Sequence, residues 1–164
     1  MQNSLATLPD HARVWIFQAD RFLTESEVDT ISNVLNSFIP QWAAHGNQLY
    51  GGYTVEKNLF IVIGVDESQS PASGCSIDSL TKVIKELGAD LKIDFFNRLA
   101  ISYEDDNGGL QLVSMEKFKE LVRVNEVNKE TVVFNNLVAD KGEFDRKWRS
   151  EVKYSWHTNL FELV

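Results

Sequence analysis

Three residues, Glu56-Lys57-Asn58, constrain this chain more than any others. They separate an alternating run, Leu49 to Val55, from a continuous apolar run, Leu59 to Val65. Alternation marks a strand with one face on a core, and an unbroken apolar run marks a strand buried on both faces. Parallel neighbours need a crossover of about a dozen residues, which three residues cannot supply. The two runs are therefore predicted to pair antiparallel through a tight turn. The glycine pair Gly51-Gly52 predicts a bulge in the first of them.

The flanking segments extend this pair into a topology. Arg13 to Gln18 reads as an earlier strand. Thr24 with Glu27 three residues on is a capping box, and Val28, Ile31, Leu35, Phe38 and Trp42 then fall on one helix face until Pro40 stops the helix near Ile39. Ile77, Leu80, Ile84, Leu87 and Leu91 repeat the helical spacing, with Gly88 as its stop. Leu99, Ile101 and Tyr103 alternate, and Asp106-Asn107-Gly108-Gly109 predicts a hairpin into Leu110 to Val113.

Residues 13–104 thus spell βαββαβ, the ferredoxin-like arrangement: an α+β fold with an antiparallel sheet and both helices on one face. Residues 105–164 read as a C-terminal extension. It holds a short helix on Met115, Phe118 and Val122, a strand from Thr131 to Val138, and a helical turn from Phe144 to Trp148. With no repeat, low-complexity segment or Pro/Gly linker, 1–164 is predicted to be a single domain.

Charge and cysteine usage narrow the function classes. The formal net charge is −8 with no basic stripe, so nucleic acid is excluded as a partner. The longest apolar run, Leu59 to Val65, is too short for membrane insertion. One cysteine cannot form an internal disulfide, and the N-terminus lacks a basic and apolar leader, which together predict a cytoplasmic protein. No CxxC or HExxH spacing occurs, so neither a metal nor a cofactor is expected.

The candidate site is Ser73-Gly74-Cys75-Ser76-Ile77-Asp78-Ser79, where a strand and a Ser/Gly turn deliver the one cysteine to a helix N-terminus. Free N–H groups there favour an anion or a thiolate. In βαββαβ topology the loop after the first helix opens at the same end of the sheet. His45 of that loop is therefore predicted to lie beside Cys75, as base to its nucleophile, with Ser73, Gly74 and the turn amides as oxyanion donors. Each residue also has a structural reading: Cys75 as a small core residue, His45-Gly46 as a helix C-cap, and Asp78 as a favourable charge at a helix start. Asn135 and Asn136, in an otherwise apolar strand, either pin an edge or bind a ligand. Trp156 and His157 either close the core or rim the pocket.

Five segments carry a resemblance covering nearly the whole chain: Arg13 to Gln18, Trp42-Ala-Ala-His-Gly46, Ser73 to Ser79, Phe134-Asn-Asn-Leu-Val138 and Ser155-Trp-His157. Together they resemble a family of short bacterial proteins commonly labelled "ABC transporter ATPase". The resemblance carries over no catalytic residue. The label implies a phosphate-wrapping G-x-x-x-x-G-K-[ST] loop and an LSGGQ-type signature, and neither string occurs. The sequence thus excludes a P-loop ATPase. It predicts a binding module for a small ligand or a protein, possible homodimer included, with its pocket near Cys75 and His45. The alternative is a thiol-dependent hydrolase or acyl transferase.

Overall fold

The computed structural model describes residues 3–163. The chain divides into two compact units: Met1–Phe96 with Ala139–Glu143, and Asn97–Val138 with Phe144–Val164. Both contain helices and antiparallel sheet, so the fold is α+β.

The first unit begins with β1 (Arg13–Gln18) and α1 (Glu25–Phe38). The capping box closes as expected: Thr24 Oγ1 accepts from the Glu27 N–H, and the Glu27 carboxylate accepts from the Thr24 N–H. Pro40 ends the helix, and a 3-10 turn, Ile39–Gln41, follows. A small hairpin of β2 (Ala43–Ala44) and β3 (Asn47–Gln48) precedes the longer one, β4 (Tyr50–Glu56) and β5 (Phe60–Asp66). Lys57 and Asn58 make its turn at φ +55° and +52°. The sheet order is β1-β5-β4, antiparallel throughout.

β5 is the middle strand and is buried on both faces. Trp15, Ile63 and Tyr53 stand opposite one another and share one face. Tyr53 Oη donates to the Ser32 carbonyl of α1, and Trp42 packs edge-on to Trp15 at 6.0 Å. Trp42 Nε1 also donates 2.8 Å to the Ser76 carbonyl of α2 (Gly74–Leu91), tying that helix to the same layer. Val14, Gly64 and Gly52 share the opposite face, where the N-terminal segment crosses. The expected bulge is absent: Gly51 pairs Val65 and Gly52 pairs Gly64 in unbroken register. The two glycines give room instead, Gly51 to Ile39 and Trp42, and Gly52 to the Ser4 backbone. Gly88 does not stop α2 either. It lies inside the helix, and Lys92 takes the left-handed cap at φ +57°.

The predicted fourth strand, β6 (Ala100–Glu104), does not join this sheet. It pairs with β7 (Leu110–Ser114) through the Asp105–Gly109 turn, and with β8 (Val132–Phe134) through Tyr103 and Val133. With β9 (Arg149–Glu151) these form the second sheet, β7-β6-β8-β9. β7 and β8 take the two edges of β6, which leaves neither edge for β1. Residues 139–142 meet the start of β1 and the residues just before it, Asp140 bridging Arg13. Val14 N–H donates to the Ala139 carbonyl, Lys141 N–H to Ala12 and Gly142 N–H to Asp10, at 2.8–3.0 Å. The contacts therefore group residues across the expected 13–104 boundary, because β6 is spent on the second unit's sheet.

The second unit has its own core. Ile101, Val133 and Val152 pack with Phe118 and Leu121 of α3 (Met115–Arg123) and with Leu160 of α5 (Thr158–Phe161). Phe144 of α4 (Lys141–Lys147) packs at a tilt against Trp148, which meets Phe134. Arg149 holds Glu104 through two hydrogen bonds of 2.6 and 2.9 Å.

The two sheet-face glycines differ in what a methyl group would strike. At Gly52 a Cβ would lie 2.7 Å from the Ser4 carbonyl oxygen, which cannot move without its chain; at Gly64 it would meet the movable Leu5 Cδ1. Gly52→Ala is expected to cost about 1–3 kcal/mol and Gly64→Ala less. Urea denaturation of the two variants checks the order.

Candidate functional site

The Ser73–Asp78 segment builds a closed helix cap. Ser73 Oγ accepts from the Ser76 N–H at 3.1 Å, and Ser76 Oγ accepts from the Ser73 N–H at 2.7 Å. Ser76 Oγ in turn donates to the Ser73 carbonyl at 2.8 Å. Both hydroxyls are thus engaged with their own turn, and Ser76 is buried. Serine serves as the N3 partner because its short side chain folds straight back on the cap. Gly74 has open space where a Cβ would stand, and Cys75 is exposed and free. Asp78 is exposed on the following turn.

The bond from Trp42 to Ser76 joins the segment after α1 to the first turn of α2. His45, however, is no helix C-cap. α1 has already ended at Phe38, and His45-Gly46 forms the two-residue turn between β2 and β3, with φ +51° and +79°. Two successive positive φ values define the type I′ turn whose twist suits a short hairpin. His45 therefore projects at an exposed tip, and among the described residues no hydrogen bond links it to Cys75.

The remaining predicted residues belong to the second unit. The strand expected to reach Val138 stops at Phe134, because Asn135 Oδ1 accepts from the Leu137 N–H and turns the chain. Asn136 Oδ1 accepts from Trp148 Nε1 at 2.9 Å. His157 is 1% exposed, with Nδ1 2.6 Å from Ser155 Oγ and its ring stacked on Trp156 at 4.1 Å. Burial pushes its pKa down to about 4, which keeps the imidazole neutral.

Two concavities of similar size adjoin α2, and sequence reasoning missed the residues that shape the first. It has a volume of about 480 Å³ and lies at the C-terminal end of the helix, lined among others by Lys85, Ala89, Lys92 and Phe96. The second, of about 470 Å³, runs along the outer side of α2 and includes Asp78, Lys82 and Glu86. The one available signal was the small pair Gly88-Ala89 in the otherwise bulky second half of the helix. Among the described residues, no group of three His, Cys, Asp or Glu side chains is placed to hold a metal ion. No family model matches the chain, and neither a curated protein nor a solved structure matches it.

His157 makes the second unit acid-sensitive. Its folded pKa of about 4 lies below the ordinary 6.5, so the neutral ring's contribution is complete above pH 6.5 and falls as pH drops toward 4. The full loss is about 3 kcal/mol. Unfolding free energy measured between pH 7 and 4 is expected to fall accordingly, and the fall is expected to shrink in His157→Gln.

Proposed function

We infer that the chain is a binding module, for a small molecule or a protein, that performs no bond-making chemistry on what it binds. One observation carries this reading: the groups a thiol enzyme would need are separately employed. The Ser73 and Ser76 hydroxyls close the cap on each other. Among the described residues Cys75 has no bonded proton acceptor, and His45 is committed by its backbone to a hairpin turn. A nucleophile needs a base within hydrogen-bond reach, directly or through one water.

The three strands β1-β5-β4 with α1 and α2 support a ferredoxin-like arrangement that lacks the fourth strand, and Asp140 bridges β1 at Arg13 alone. The resemblance to short bacterial proteins rests on the quoted segments and adds no residue to the site. A cytoplasmic location, and self-association as one form of partner binding, belong to the same reading.

The thiol-dependent hydrolase or acyl transferase is the rival because Cys75 is exposed rather than buried. Alkylation of the native protein, followed by intact mass, separates the two readings. Cys75 is expected to react without unfolding, at a rate unchanged in His45→Ala. A drop of about tenfold or more in that variant would place both residues in one reactive site, since one pKa unit changes the thiolate fraction by that factor.

A further inference from the structure

β7 is an edge strand whose outer side has no protein partner among the described residues. The bonds at both ends of the β6-β7 hairpin fix which groups point outward. Asp105 N–H donates to the Gly109 carbonyl at 2.9 Å, and Met115 N–H donates to the Leu99 carbonyl at 2.7 Å. Bonded pairs alternate along an antiparallel ladder. Gln111 and Val113 therefore bond to β6, while Leu110, Leu112 and Ser114 turn their N–H groups away from it, and the two leucines their carbonyls.

Edge strands are ordinarily blunted by charge, proline, a bulge or a covering segment, because free N–H and C=O groups template further pairing. The other edges show such devices. The Asn3 carbonyl accepts the Tyr53 N–H of β4, residues 139–142 meet the start of β1, and β9 carries Arg149 and Glu151. β7 reads Leu-Gln-Leu-Val-Ser, without charge, proline or glycine, and its register runs unbroken from Ala100↔Ser114 to Glu104↔Leu110. Leu110, Leu112 and Val113 are each only half-buried.

The strand is also complementary to itself. An antiparallel copy turned about Leu112 sets Leu112 opposite Leu112, Leu110 opposite Ser114 and Gln111 opposite Val113. Leu112 then exchanges both backbone bonds with its counterpart, and each Ser114 N–H meets a Leu110 carbonyl. No like charges face each other along the strand. Beyond its ends, the Asp105–Gly109 turn of one copy, with Asp106 exposed, arrives at the N-terminus of α3 in the other. The helix dipole is positive there, and exposed Lys117 is paired within its own helix to Glu120 at 3.6 Å. Glu116 is the like charge on that first turn.

We propose that β7 pairs with β7 of a second copy of this chain, antiparallel about Leu112, joining the two sheets edge to edge. Such a two-fold contact uses the same edge of both copies and closes at a dimer. Five residues a side is a small contact beside the roughly 800 Å² per partner of a standard interface, so the dimer is expected to be weak and reversible. The proposal rests on the reading of the chain as a binding module, and it names the partner and the strand.

Amide hydrogen exchange and sedimentation of the full chain at about 10 µM and about 1 mM test it. At the lower concentration Gln111 and Val113 are expected to be protected by β6, and Leu110, Leu112 and Ser114 to exchange freely. At the higher one, exchange at Leu112 and Ser114 is expected to slow several-fold as the dimer forms. Leu112→Lys and Leu112→Glu are each expected to remain monomeric alone, and an equimolar mixture to restore the dimer, because the two-fold sets position 112 against itself. A wild-type chain still monomeric at about 1 mM, or unchanged exchange at Leu112 and Ser114, would overturn the proposal. So would dimers of either variant alone, or folded variants that do not rescue each other. A dimer protected at another strand would also overturn it, yet leave the binding-module reading standing. That wider reading fails separately, if the alkylation rate of Cys75 collapses in His45→Ala.

Discussion

The double-sided burial of β5 is the constraint on which the first unit depends. Phe60, Ile61, Val62 and Ile63 have no exposed surface, and burying each such side chain is worth about 1.5–3 kcal/mol. That gain is available only if both faces of the strand are covered. α1 and α2 are tied to one face through Tyr53, Trp15 and Trp42, and the N-terminal segment crosses the other over Gly52 and Gly64. The position of α2 follows from this covering requirement, and with it the placement of both the Cys75 turn and the concavity at the far end of the helix.

Features set by neighbours in sequence were legible. The Thr24–Glu27 box, the Pro40 stop, the Lys57-Asn58 turn and the Asp105–Gly109 hairpin each depend on residues a few positions apart. The sheet membership of Leu99 to Tyr103 was not legible, because a strand pattern does not reveal its partner. His45-Gly46 was misread for a related reason: tolerance of positive φ serves a helix cap and a type I′ turn alike. Asn135 looked like a strand residue among apolar neighbours, yet its side chain ends the strand.

The two candidate sites differ in the same way. Ser73 and its serine partner were visible as helix-start chemistry, and their mutual capping is a local fact. The concavity at the C-terminal end of α2 depends on a left-handed lysine, a glycine in close contact with a carbonyl, and an aspartate 74 residues from the amide it accepts from. None of these leaves a motif. A lysine does not advertise positive φ, and Gly88 suggested a helix end where it marks a close approach.

The interleaving of the two units has a consequence for the order of assembly. Residues 139–142, which meet the start of β1, are made only after β6, β7, α3 and β8. On the ribosome the first unit thus emerges with its β5 pairing available but its β1 flank still bare. An unpaired strand flank is a template for unwanted pairing. Most of the second unit's chain must leave the tunnel before residues 139–142 reach the start of that flank. A break in translation before Ala139 would leave a nascent chain with a fully apolar strand paired on schedule and a neighbouring strand open to other chains.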